Sequence, residues 1–262
     1  MYKHLGIDDW LFVALYGAVA MMAVLAGIYL LAARANVFAR EVSAPRVLRR
    51  WAAAFMAAVA LSHVWWALPV EAWFEVDKAM RDEVCFSMDL LTLVPLMMAW
   101  LLRLLQDRRR QVWPWFVAHV PVLLMALQSL FWPLFMYQVA LILAFVIYYY
   151  LALCRYGRWL RDNFADLEHK EVWQSLVLML VLLAVYSAYT TNGGSLFREY
   201  LSQVLSVGII AFVLWRTEGL QALSTDGEIE DDGREDKGSA LRAVELNLLR
   251  RQSDSKKLTT RR

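Results

Sequence analysis

Apolar runs of about 20 residues, the length at which an α-helix crosses a hydrocarbon core ~30 Å thick, recur along this chain between short polar stretches. Seven are read, at 11–33, 51–70, 84–102, 112–131, 134–154, 174–191 and 197–215. The predicted class is all-α: a polytopic membrane protein forming a seven-transmembrane helix bundle over 1–223, followed by a flexible cytoplasmic tail over 224–262. The first run is too long for the apolar part of a signal peptide, and Asp8 and Asp9 precede it with only Lys3 in opposition. It is expected to be retained. The seventh is the least regular, because Arg198 and Glu199 lie near its start and only Leu201 to Trp215 is free of charge.

Charge in the connections predicts an orientation. Segment 34–50 carries Arg34, Arg40, Arg46, Arg49 and Arg50 against Glu41. Segment 71–83 carries Glu71, Glu75, Asp77, Asp82 and Glu83 against Lys78 and Arg81. Segment 103–111 is basic again, with Arg103 and the Arg108-Arg109-Arg110 run. Basic connections stay in the cytoplasm, so the N-terminus is expected outside and the C-terminus inside. Tryptophans at the predicted boundaries, Trp10, Trp73 and Trp132 outside and Trp51, Trp100, Trp113, Trp115, Trp159, Trp173 and Trp215 inside, fit an interfacial belt. Pro95 and Pro121 are expected to kink the third and fourth spans. Ala23/Gly27 and Ala53/Ala57 offer small residues four apart for close helix packing. In the tail, Leu241, Val244 and Leu248 allow at most one short amphipathic helix.

Polar groups inside an apolar layer are costly, so the few present mark the candidate site. Asp89 lies ~8 Å in from the outer end of the third span and His63 ~10 Å in from that of the second, at about 1.5 Å per residue. Their depths match, and a His63–Asp89 pair is geometrically accessible. Trp65 and Trp66 can wall it, and Gln128, Gln138, Tyr186, Tyr189, Ser202, Gln203 and Ser206 share the outer half. The expected ligand-binding set is His63, Trp66, Asp89, Gln128, Gln138, Tyr189 and Gln203. The bland alternative is that each group merely hydrogen-bonds one helix to the next. His119, nearer the inner side, is read as a satisfied interior histidine.

Composition adds little. Aromatics make up 13% of the chain and the net charge is only +2, so no bulk attraction to nucleic acid is expected. Cys85 and Cys154 fall near opposite faces and are read as free thiols. The chain contains no G-x-S-x-G, no H-E-x-x-H, no Cys/His cluster with metal spacing and no glycine-rich phosphate loop. The seventh span has no lysine for a retinal Schiff base, and His169 lacks the context of a phosphoacceptor. No catalysis, metal or cofactor is expected.

The polar segment from Arg158-Trp-Leu-Arg-Asp-Asn-Phe-Ala-Asp-Leu-Glu-His-Lys-Glu-Val-Trp173 to Leu176 resembles the signature segment of bacterial multi-span regulators. In those proteins a membrane domain precedes a cytoplasmic AraC-type helix-turn-helix domain or a histidine kinase module. The resemblance continues through Ala188–Gly194, Glu199–Gln203 and Ala211–Arg216 and covers about 150–222. It implies an inner-membrane sensory region. Its signal-coupling loop would comprise Arg158, Trp159, Arg161, Asp162, Asp166, Glu168, His169 and Trp173. The chain after Leu223 is too short for either output domain, which leaves a stand-alone sensor, a truncated product or a fragment open. The expected partners are the lipid bilayer, a small-molecule ligand from outside and a cytoplasmic regulatory protein. A homodimer is left open, and this chain is not expected to bind nucleic acid directly. The expected function is that of a sensor; a small transporter or channel, or a non-catalytic docking subunit, are the alternatives.

Overall fold

The computed structural model describes residues 7–32, 44–67, 78–106, 111–128, 130–163, 173, 177 and 196–220. The chain divides into two units, Met1–Ala222 and Leu223–Arg262, and the second lies outside the described residues. The described residues of the first form helices: α1 Ile7–Ala32, α2 Arg46–Ala67, α3 Lys78–Leu104, α4 Trp113–Val117, α5 Val120–Leu127, α6 Phe131–Asn163 and α7 Leu196–Glu218. Five of them, α1, α2, α3, α6 and α7, are long and apolar enough to cross a membrane. Their outward faces are apolar, with Leu11, Met21, Leu25, Ile28 and Leu31 exposed on α1 and Met136, Leu143, Ile147 and Leu151 on α6. Uncovered apolar area on this scale belongs against lipid.

The helix α2 is the hub and packs against α1, α3 and α7. It can do so because its inward positions are small or flexible: Ala52, Ala53, Met56, Ala60 and, near its end, His63. Gly27 of α1 sits directly on it, where an added Cβ would meet Met56 Cβ at 3.5 Å and the Ala53 carbonyl at 3.6 Å. Ala53 thus takes part in close packing as expected, whereas Ala57 is exposed and does not. The second half of the bundle is built on α3, which meets α4, α5 and α6 around a core of Leu90, Val122 and Leu134.

The fourth apolar segment departs from expectation. It is a broken pair, α4 and α5, and together they rise only ~22 Å against a ~30 Å core. The interruption falls at Ala118-His119, just ahead of Pro121, whose ring excludes the hydrogen bond and the space that a continuous helix needs. The helix α3, by contrast, runs through Pro95 unbroken. Ala118's carbonyl, left without its usual helical donor, accepts from the Tyr137 hydroxyl at 2.8 Å.

The fifth span is longer than predicted. The helix α6 continues past 154 to Asn163, because neither Gly157 nor the charges around it break the buried stripe Phe145, Tyr149, Ala152, Tyr156 and Leu160. Arg158, Trp159, Arg161 and Asp162 are therefore helical and exposed instead of lying in a loop. The predicted sixth span, 174–191, lies outside the described residues apart from Val177, which is exposed.

The α1–α2 seam makes a direct test. Gly27→Ala adds a methyl group at ordinary contact distance and should leave the thermal unfolding midpoint in detergent nearly unchanged. Gly27→Leu must displace Met56 or the α2 backbone and should cost about 1–3 kcal/mol, seen as a lower midpoint.

Candidate functional site

The end of the bundle where α1 begins, here the entry end, gathers most of the polar groups. His63 is buried on α2. Its Nδ1 lies 2.8 Å from the Val59 carbonyl and its Nε2 3.2 Å from Gln203 Oε1 on α7. A neutral ring satisfies both with Nδ1–H donating to Val59 and the Gln203 carboxamide turned to offer its NH₂; an imidazolium donates to both oxygens as placed. The Tyr16 ring of α1 packs at a tilt against the imidazole, centroids 4.7 Å apart, and its hydroxyl donates to the His63 carbonyl at 2.9 Å. Phe12 bridges Tyr16 and Tyr200. Three helices, α1, α2 and α7, therefore converge on one imidazole.

Asp89 of α3 takes its hydrogen bonds from α2. Trp65 Nε1 donates to Oδ1 at 3.0 Å and Trp66 Nε1 to Oδ2 at 2.8 Å. Two consecutive indoles divide one carboxylate between them, a charge-assisted arrangement that ties α2 to α3. The expected His63–Asp89 pair is not a direct hydrogen bond; the two side chains bond to different partners yet stay within electrostatic range of each other. The reason is azimuth: at matched depth, His63 faces α1 and α7 while Trp65 and Trp66 reach toward α3.

The remaining expected members scatter. Gln203 joins His63, and its Nε2 also donates to Ser202 Oγ at 3.3 Å. Ser206 turns back to the Ser202 carbonyl at 2.9 Å and serves its own helix. Gln128 ends α5 with an exposed side chain. Gln138 is 2% exposed on α6 and makes no hydrogen bond through either amide atom. Tyr186 and Tyr189 lie outside the described residues, as do Asp166, Glu168 and His169 of the coupling loop; Trp173 is exposed. His119 is buried but only half satisfied, its Nδ1 meeting the Trp115 carbonyl at 2.6 Å while Nε2 has no partner.

Sequence reasoning missed the opposite, far end. Arg49 Nε on α2 pairs with Glu218 Oε1 on α7 at 3.0 Å, with the glutamate side chain 1% exposed. Arg49 also donates to the Tyr29 carbonyl of α1 at 3.3 Å and sits over the Tyr29 ring. At the residue just before Glu218, Trp100 Nε1 of α3 donates to Thr217 Oγ1 at 3.1 Å. Trp100, expected in the interfacial belt, is instead fully buried between Phe55 and Phe212. The seventh span was expected to end at 215, yet the helix continues through Arg216, Thr217 and Glu218, all of them buried. The helix stops only at Gly219, whose N–H caps the Trp215 carbonyl at 2.9 Å. A visible signal was the lone acid just after the seventh span, facing the arginines that precede the second.

The sequence matches no protein family model, and no curated protein and no solved structure matches it.

Removing one partner of the far-end pair takes from the other an opposite charge at 3.0 Å. Glu218→Gln or Arg49→Met should each lower stability by about 3–5 kcal/mol, while the double variant Arg49→Met/Glu218→Leu should recover most of that loss. Thermal unfolding of the purified variants in detergent checks both.

Proposed function

We propose that this chain is a sensory module of a bacterial inner membrane, passing an external signal at the entry end to a cytoplasmic output at the far end, without catalysis. The observation that carries this reading is the double fastening of α7 to α2. Gln203 meets His63 at the entry end, and Glu218 meets Arg49 at the far end. The two contacts stand ~22 Å apart along α7 and ~21 Å apart along α2, at about 1.5 Å per residue, so the helices match in register over the bundle's depth. The helix α7 has no internal proline and is continuous, so a change at Gln203 is delivered to Glu218 as a rigid shift.

The basic, acidic, basic order of the first connections supports an outward entry end and an inward far end. In that frame an external ligand or a membrane state acts on the imidazole and carboxylate sets. The Arg49–Glu218 contact and the extended end of α6 answer it on the cytoplasmic side. A signal works only by favouring one packing of α7 over another, since occupancy alone shifts nothing. Seven spans, with a crossing at 174–191, complete this reading. A second reading, transport, is favoured by the broken fourth segment, because interrupted helices frame the substrate sites of many transporters.

Spin labels at Arg158 of α6 and Trp215 of α7, both exposed near the far end, test the sensory reading in a Cys154→Ser background. Introducing His63→Phe at the entry end should shift the label separation by about 1–2 Å or broaden its distribution. An unchanged distribution means that the two ends do not communicate.

A further inference from the structure

The helix α6 is longer than a hydrocarbon core requires, and its surplus carries concentrated charge. From Val112 to Asn163 the fixed charges are Arg155, Arg158, Arg161 and Asp162. All four side chains are exposed on the unbroken last turns of α6. Exposed Trp132 marks the other boundary of the same helix. Measured from it, a ~30 Å core is crossed in about 20 residues, at Ala152. Arg155 and Arg158 then stand ~4.5 and ~9 Å beyond the hydrocarbon, and Arg161 ~13 Å, at about 1.5 Å per residue. Headgroups fill roughly the first 5–7 Å of that distance. The aromatic groups agree. Tyr148 and Tyr150 are exposed just before the arginines, and α4, packed on α6 through Trp115, presents Trp113 at the same end.

Helix geometry sets the three arginines on one side. Arg158 shares a face with Leu143, Ile147 and Leu151, exposed at successive turns. Arg155 and Arg161 flank it by about 60° to either side, because three residues fall short of one full turn. These spacings make neighbours of Arg155 and Arg158, and of Arg158 and Arg161, and like charges so placed repel. Asp162 offsets one of the three, so two positive charges remain among the described residues of this face. Arg158 Nε donates to the Cys154 carbonyl at 3.4 Å, which folds the guanidinium back over the turn nearer the hydrocarbon. A cationic head in line with an apolar lane complements a molecule of the same plan, an anionic headgroup above acyl chains. The arginine fork matches the oxygens of a phosphate.

We propose that the end of α6 is a binding site for an anionic phospholipid. Its phosphate is held between Arg155 and Arg158, with Arg161 beside them, and an acyl chain lies along Leu143, Ile147 and Leu151. The site is separate from the His63 and Asp89 sets. It needs only that α6 crosses the bilayer, and depends neither on which side is cytoplasmic nor on the sensory reading.

The test uses the full chain in detergent, titrated with phosphatidylglycerol or phosphatidylcholine and read by native mass spectrometry as lipid-bound protein. The wild-type chain should bind phosphatidylglycerol about tenfold more tightly than phosphatidylcholine. Arg155→Gln/Arg158→Gln should abolish that preference. Arg46→Gln/Arg50→Gln neutralises two exposed arginines of α2 at the same end of the bundle and should leave the preference within about twofold. Excess ammonium phosphate should not displace the lipid; displacement assigns the arginines to a soluble anion and overturns the proposal. So does the absence of a wild-type preference, an equal loss in the α2 control, or a dimer formed in place of lipid-bound protein. Should the double variant fail to give monodisperse protein, Arg158→Gln alone and the wild-type preference decide by the same criteria.

Discussion

A carboxylate inside a helical bundle is tolerated only beside a cation, and Glu218 has one in Arg49, whose Nε lies 3.0 Å from Oε1 without the alignment of a hydrogen bond. Much of the far end follows from this contact. It fixes how far α7 reaches along α2. It places Thr217 where the Trp100 indole can donate to it, and it draws Tyr29 of α1 under the same guanidinium. Three helices thus meet at one ion pair, and α3 joins them at the adjacent Thr217. Breaking such a pair is costly and replacing both members is cheap, so its role lies in register and in the choice between packings more than in net stability.

The bundle is uneven. The helices α1, α2, α3 and α7 close on one another through small residues on α2 and polar contacts at both ends. The side formed by α4, α5 and α6 depends instead on aromatic contacts, such as Trp115 against Phe145 and Tyr148, and on one hydroxyl bridging a broken helix. A firm unit beside an interrupted one is a sound basis for a conformational response, because a local change is borne by discrete contacts and not absorbed throughout. In the proposed sensory role, the imidazole at the junction of α1, α2 and α7 is where a signal gains the most leverage.

The length and apolar character of the helices were legible in the sequence, since a run of apolar residues needs no partner to be recognised. Depth was legible too: His63, Asp89 and Gln203 do share the entry end. Azimuth was not, because the face a side chain presents is set by neighbours distant in sequence. Hence Asp89 found Trp65 and Trp66 while His63 found Gln203. Pro121 announced a disturbance, but a kink and a break differ by whether another helix can satisfy the freed carbonyl, and Tyr137 is that contribution. Trp100 sits at a boundary position like a belt residue, and only the approach of Thr217 and Phe212 from α7 explains its burial.

The central claim is that the two ends of α7 act on each other through the helix. Thermodynamic coupling between them tests it most directly, with unfolding free energies measured for His63→Phe, Glu218→Gln and the double variant. Sites this far apart ordinarily add to within about 0.3–0.5 kcal/mol. The account predicts a departure from additivity clearly beyond that margin, because freeing one end of α7 weakens the contact at the other. Simple additivity would contradict it and leave two unrelated polar contacts on a single helix.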